Sequence, residues 1–354
     1  IDWYSLHQTI WALSGCYAFL ACVISFTLAF QHLRHFTEPR FQKPIVRIIM
    51  MIPIYCIDSW LSLSFYELSV FFDVARDCYE AYAIYEFFIL LVQFCDGEAN
   101  LIAILEEKPY QSHPWPFCFL PPLKTGKAFF QTCKRCVMQF VLIKPVLAVL
   151  TFILELMGVY HSGSFDFSAG YLYVTAVDNI SITIALYFLV LFFMPISEEL
   201  APFRPVSKFL CIKIVIFFSF WQDVLISLLV WTNVIKEQPG WTVDNLSVFI
   251  QDALICVEMF LLSLFLTYAF GYEDFRDADA YGKPALKRVM TSTAQVVSPK
   301  DVVNDTVDVF GRQLVGDDEH TTYEKRKIPK PGGTRQEGSS IMDTNRQYGS
   351  TEPL

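Results

Sequence analysis

Carboxylates set inside long apolar stretches carry most of the chemistry in this sequence. Asp58, Glu67, Glu86, Asp96, Glu98, Glu155, Asp178, Asp223, Asp252 and Glu258 all fall in segments otherwise dominated by Leu, Ile, Val, Phe and Ala. An Asp at the centre of a membrane helix costs about 2.5–3.5 kcal/mol on an insertion scale, so such groups face a bundle interior, take up a proton or line a wet cavity. Their spacing points to an interior seam. Glu86, Gln93 and Asn100 recur every seven residues, as do Gln251 and Glu258, which puts each set on one helix face. Asp96 flanks the first set and Asp58 sits one turn from Ser62. Asp178 opens a polar section that includes Ser181, and Asp223 follows Gln222 midway along its own stretch. Asp58, Glu86, Gln93, Asp96, Asn100, Asp178, Asp223, Gln251 and Glu258 are therefore candidates for a polar substrate cavity. Two readings stay open: hydrogen bonds that tie helices together, and a cavity that admits a solute. Acids outnumber bases here, which favours a cationic or protonated ligand over an anionic one.

The elements that must position these groups are the apolar stretches themselves. Thr9–Phe30, Ile45–Val70, Tyr79–Leu105, Val137–Tyr160, Tyr171–Pro195, Lys208–Ile235 and Asn245–Phe270 each reach the roughly 20 residues that a bilayer-crossing helix needs. The sequence predicts an all-α, polytopic membrane protein: a seven-helix domain over 1–270 and a largely disordered tail over 271–354. Charged residues make up only 18% of the chain, against about 25% in a typical soluble domain. The net charge of −9 and the lack of a basic groove argue against nucleic acid as a partner.

Lys and Arg in the loops predict orientation. Arg34, Arg40 and Lys43 lie in the first loop, and Lys108, Lys124, Lys127, Lys134 and Arg135 in the third. Arg204 and Lys208 lie at the fifth, whereas the even-numbered loops carry only Arg76 and Lys236. The N-terminus is thus expected outside or in a lumen, and the tail in the cytoplasm. Arg47, Lys144 and Lys213 read as residues near cytoplasmic helix ends whose stems snorkel to the interface.

No phosphate-binding G-x-x-x-x-G-K-[ST], no G-x-S-x-G and no H-E-x-x-H occurs. No enzyme, cofactor or metal site is expected. Cys118, Cys133 and Cys136 fall in the basic third loop and are candidates for acylation, with free thiols as the plainer alternative. In the tail, Val302, Val303, Thr306, Val309 and Phe310 recur at helical spacing within a short amphipathic segment near 299–311. A lone amphipathic element in a polar tail suits recognition by a cytosolic protein.

Several stretches together resemble the organic solute transporter alpha-subunit family, and within it the transmembrane protein 184 group. They are Arg47-Ile-Ile-Met-Met-Ile-Pro-Ile-Tyr55, Tyr79-Glu-Ala-Tyr-Ala-Ile-Tyr85, Cys118-Phe-Leu-Pro-Pro122, Lys208-Phe-Leu-Cys-Ile-Lys213 leading into Phe217-Phe-Ser-Phe-Trp-Gln222, and Gln251-Asp-Ala-Leu-Ile-Cys-Val-Glu258. The resemblance implies seven helices and facilitated diffusion of an amphipathic organic solute. It also implies a small single-span subunit as partner, with a homo-oligomer as the alternative. The transmembrane-184 group implies a vacuolar, lysosomal or endosomal membrane rather than the plasma membrane. It further implies a second role, in which the tail recruits a cytosolic protein such as a ubiquitin-like autophagy modifier. The family's dense cysteine run is absent: the matching region holds Cys118 alone.

Overall fold

The computed structural model describes residues 3–65, 68–108, 110–114, 117–160, 170–201, 242–275, 285–298 and 300–311, with residues 222, 225–226, 228–230, 232 and 234–235 between them. The chain divides into a compact unit over Ile1–Phe310 and a second over Gly311–Leu354. Among the described residues, helices dominate: α1 (Trp3–Arg34), α2 (Pro39–Ile49), α3 (Met51–Ser64), α4 (Ser69–Phe94) and α5 (Glu98–Glu107). After a two-residue antiparallel pairing of Tyr110–Gln111 with Leu123–Lys124 come α6 (Lys127–Leu156), α7 (Gly170–Phe193) and the short α8 (Ser197–Leu200). α9 (Val243–Ala269), α10 (Ala285–Val297) and α11 (Lys300–Thr306) complete the order.

Five helical segments are long and apolar enough to cross a membrane, and a bent pair, α4 with α5, makes up to six. The stretch Lys208–Ile235 falls mainly on residues outside those described. Burial ranks the spans. The apolar window of Pro39–Ser64 is 72% buried, whereas the other four straight spans are 33–39% buried. α2 and α3 therefore form the centre, and α1, α6, α7 and α9 surround it. Those outer helices leave Phe19, Val146, Ile180 and Leu261 exposed, as hydrocarbon-facing surfaces do. The core fills with Ile48, Ile49 and Ile52 from the central span, Phe87, Phe88 and Leu91 from α4, and Phe130 and Phe140 from α6. The central span breaks at Met50, between α2 and α3. Three residues on, Pro53 has no N–H to return to the Ile49 carbonyl, which weakens the ladder at that turn.

Three expectations need correcting. The third span starts at Ser69, ten residues before the expected Tyr79, and its straight part ends at Phe94 rather than running to Leu105. The early start carries Asp73, Arg76 and Asp77 into the helix, where they pair with one another and with neighbouring helices. At the far end Asp96 and Gly97 take positive φ values of 60° and 95°, and α5 departs at 72°. Asn100 is thus rotated off the face that Glu86 and Gln93 share; it is exposed, and its side chain donates to the Cys95 carbonyl. Second, α6 begins at Lys127, so Cys133 and Cys136 lie on a helix rather than in a loop. Third, residues 285–311 are helical and packed on the membrane helices, so the first compact unit passes the expected boundary at 270 and reaches Phe310.

Candidate functional site

The buried charges gather into two clusters, both built on α4. Asp73, Arg76, Asp77 and Glu80 follow one another at intervals of three, one and three, which sets them along one helical face. Arg76 is the hub of the first cluster. Its guanidinium lies 2.7 Å from Asp73 and 3.2 Å from Asp58 on α3. It also lies 3.8 Å from Asp252 on α9 and 5.6 Å above the Tyr55 ring. The Tyr55 hydroxyl donates to Glu80 at 2.7 Å. One turn along, Lys144 of α6 donates to Asp77 at 2.8 Å and to Asp178 of α7 at 2.9 Å. A continuous run of charge thus joins α9, α3, α4, α6 and α7.

The composition of this run matters more than any one pair. Two cations, Arg76 and Lys144, face six carboxylates: Asp58, Asp73, Asp77, Glu80, Asp178 and Asp252. Asp58, Asp252 and Arg76 are buried or nearly so. An unbalanced anionic charge out of water is costly, and the excess calls for protons or a cationic guest. Among the described residues, Ser62 Oγ and Asp178 Oδ1 are buried without a hydrogen-bond partner. Lys144 does not snorkel: its ammonium is held inside the bundle by the two aspartates.

α3 has a second, apolar face. Cys56, Ile57 and Trp60 line a groove of about 530 Å³ with Trp11, Gly15 and Phe19 of α1. Asp58, Ser59 and Ser62 are buried on the same helix. One short element therefore carries both the polar cluster and an apolar recess.

The second cluster centres on Arg47 of α2, which is buried rather than snorkelling. Arg47 donates to Glu86 of α4 at 2.6 Å and stacks 5.6 Å over the Tyr82 ring. Its remaining contacts reach beyond the last span. Nε donates to the Val296 carbonyl at 2.9 Å and Nη2 to the Ser298 carbonyl at 2.7 Å. The fork of Nη1 and Nη2 holds Asp301 at 2.7 and 3.2 Å. Lys43 lies 3.1 Å from Asp301, Tyr85 donates to Asp305, and Lys134 bridges Asp305 and Glu98.

The nine cavity candidates therefore separate. Asp58 and Asp178 join the Arg76 cluster, and Glu86 belongs to the Arg47 cluster. Gln93 and Gln251 are half-buried, and Glu258 accepts from Gln222 apart from both clusters. Asp96 is exposed and pairs with Arg40 at 3.1 Å. Asp223 lies outside the described residues. Asp73, Asp77 and Glu80 were not among the candidates, and Arg76 had been read as a loop residue; their three-one-three spacing was the available signal. Of the thiols, Cys118 is exposed, Cys136 half-buried and Cys133 buried. In the docked segment, Val302, Thr306, Val309 and Phe310 are half-buried and Val303 is exposed.

A family model described as organic solute transporter Ostalpha matches residues 10–275. A transmembrane protein 184 homolog from Dictyostelium discoideum is 41% identical over 266 residues, covering 75% of this chain and 52% of that protein. The chain thus spans about half the length of this curated relative. No solved structure matches.

Proposed function

Because the chain belongs to the Ostalpha organic solute transporter family, and so is an integral multi-pass membrane protein, we propose that it carries an amphipathic organic solute across a bilayer by facilitated diffusion. The observation that carries this reading is the pairing on α3 of an acid-rich buried cluster with an apolar groove. Such a pairing suits a molecule with a charged head and a hydrophobic body. The carboxylate excess selects a cationic or protonated head. The proposal includes a seventh span over Lys208–Ile235, an outside or lumenal N-terminus, and a vacuolar, lysosomal or endosomal membrane. It includes no enzymatic step, and it leaves room for a small single-span subunit or a second copy at the exposed apolar faces.

The test is uptake by proteoliposomes of the purified chain, offered amphipathic organic cations and sterol sulfates side by side. The reading expects saturable cation uptake that falls when Asp58 and Asp252 are both changed to Asn. Uptake no faster than in empty liposomes for both classes sinks it. Orientation is read separately, by cysteines introduced at 5 and 340 and an impermeant thiol reagent on sealed membranes. Labelling at 5 and not at 340 fits the proposal, and the reverse pattern overturns the orientation.

A second reading is that the docked segment also meets a cytosolic protein such as a ubiquitin-like modifier. Val303 and Val307 support it, with 56% and 62% of their surfaces open. Pull-down of the modifier by the full chain, lost on changing both to Asp, is the expected outcome.

A further inference from the structure

The patch that receives residues 300–311 is built by the membrane helices and plays no part in the proposed transport route. Lys43 and Arg47 stand one turn apart on α2, Lys134 comes from α6, and the Tyr85 hydroxyl comes from α4. Arg47 has only 3% of its side chain exposed. Yet one of its five side-chain hydrogen bonds ends on a membrane helix, at Glu86; the other four end on the segment after the last span. The burial of this guanidinium therefore depends on a piece of chain that arrives from elsewhere.

Three features show what else could sit there. First, the Nη1–Nη2 fork grips the Asp301 carboxylate through two oxygens, a geometry that suits phosphate equally well. Second, Asp301 and Asp305 stand one turn apart and together bring two carboxylates to three cations. A phosphate monoester brings a similar charge, about −1.5 to −2 near neutral pH, on one compact group. Third, the carboxylates sit at the rim. Their side chains are 42% and 28% exposed, so an incoming anion has access. Partial burial pushes the Asp301 carboxyl up, but hydrogen bonds from Arg47 and Lys43 outweigh it and hold the group below its ordinary pKa.

A guanidinium this deep is not left without a counter-charge, because an uncompensated buried ion is strongly destabilising. The segment leaves only in exchange for another anion. The surroundings point to the bilayer as the source. α10 packs on α1 and α2 beside the patch. Its Met290 and Val297 are turned outward, 66% and 73% exposed. Apolar residues flanking a basic pocket are how an interfacial helix meets headgroups and acyl chains together.

We propose that Lys43, Arg47, Tyr85 and Lys134 form a binding site for the phosphate-monoester headgroup of an anionic lipid, and that Asp301 and Asp305 occupy it as an internal surrogate which the lipid displaces. The proposal rests on residues 10–275 lying in a bilayer, and not on the carrier reading.

The test is hydrogen exchange of residues 300–310 in the full chain, held in nanodiscs. Nanodiscs expose both leaflets, so the result is independent of orientation. In phosphatidylcholine alone the segment should be protected. Adding a phosphatidylinositol phosphate should speed its exchange about ten-fold, as local release does. Phosphatidylserine at matched charge should have little effect. Asp301→Asn with Asp305→Asn should give fast exchange without any lipid. Lys43→Gln with Lys134→Gln, which spares Arg47 and its packing, should blunt the response to the phosphorylated lipid.

No acceleration by the phosphorylated lipid overturns the proposal, as does equal acceleration by phosphatidylserine. Acceleration by soluble inositol trisphosphate but not by the lipid overturns the lipid source. Failure of the carrier reading would appear in proteoliposome uptake, a separate measurement.

Discussion

The Arg76 and Arg47 clusters use the same ingredients, an arginine among carboxylates on α4, but differ in where the opposing charge comes from. Around Arg76 and Lys144 every carboxylate belongs to a membrane helix, and carboxylates exceed cations six to two. Around Lys43, Arg47 and Lys134 the membrane helices supply only Glu86 and Glu98, and Asp301 and Asp305 come from beyond the last span. The first cluster is closed in sequence terms and short of positive charge. The second is balanced only while the segment is docked. A site lacking cations suits a guest that brings one, whereas a site completed by a removable piece suits a switch.

The largest expected effect that would break this contrast is Arg76→Leu. It strands Asp58, Asp73 and Asp252 around an apolar side chain, and loss of one partner in a buried ionic network costs about 3–5 kcal/mol. Thermal unfolding in detergent should show a large fall in Tm. An unchanged Tm would mean that the carboxylates are not ionised around Arg76.

A smaller effect is expected at Asp77→Asn. Lys144 keeps Asp178 at 2.9 Å, so the loss is one charge-assisted hydrogen bond, about 1.5–3 kcal/mol at most. The same melting curve should rank it below Arg76→Leu, and the reverse ranking would move the hub from Arg76 to Lys144.

The smallest global effect should come from Asp301→Asn, which would sharpen the comparison by acting on the segment alone. Tm should stay nearly constant while exchange over 300–310 rises. The acid dependence has a definite sign. A carboxyl whose pKa is lowered on docking favours the docked state above its free value, about 3.9. That contribution is lost as pH falls through the lower, docked value. Wild-type exchange should therefore quicken at strongly acidic pH, and Asp301→Asn should flatten the response. A wild-type segment that tightens on acidification would contradict the ion pair.

Apolar run length made five of the expected spans legible, because each run maps onto an observed helix with shifted ends. Charge hid the rest. Asp73, Arg76 and Asp77 lower the hydropathy of a segment that is nonetheless helical, since their mutual pairing removes the cost that a hydropathy scan assigns to each alone. The seven-residue repeat of Glu86, Gln93 and Asn100 assumed an unbroken helix. Asp96-Gly97 ends it, and a Gly at φ 95° tolerates what other residues resist. In the segment near 299–311 helical spacing was visible, but its acids were read as a solvated face. The cations they meet lie some 160 to 260 residues earlier in the chain, beyond the reach of any local pattern.

The angled helix α5 has a mechanical consequence. Beside its first residue, Asp96 is tied to Arg40 of α2, and Glu98 is tied to Lys134 of α6. Past its last turn, Lys108 reaches the Pro195 carbonyl and, at 2.8 Å, Glu199. A rigid rod fastened in this way works as a crossbar. It braces the ends of the second, third, fourth and fifth predicted spans against sliding past one another. No corresponding bar lies at the Arg76 end among the described residues, so that end splays under a smaller load. The bundle is stiff as a hinged box is stiff, on the side where the brace is fixed.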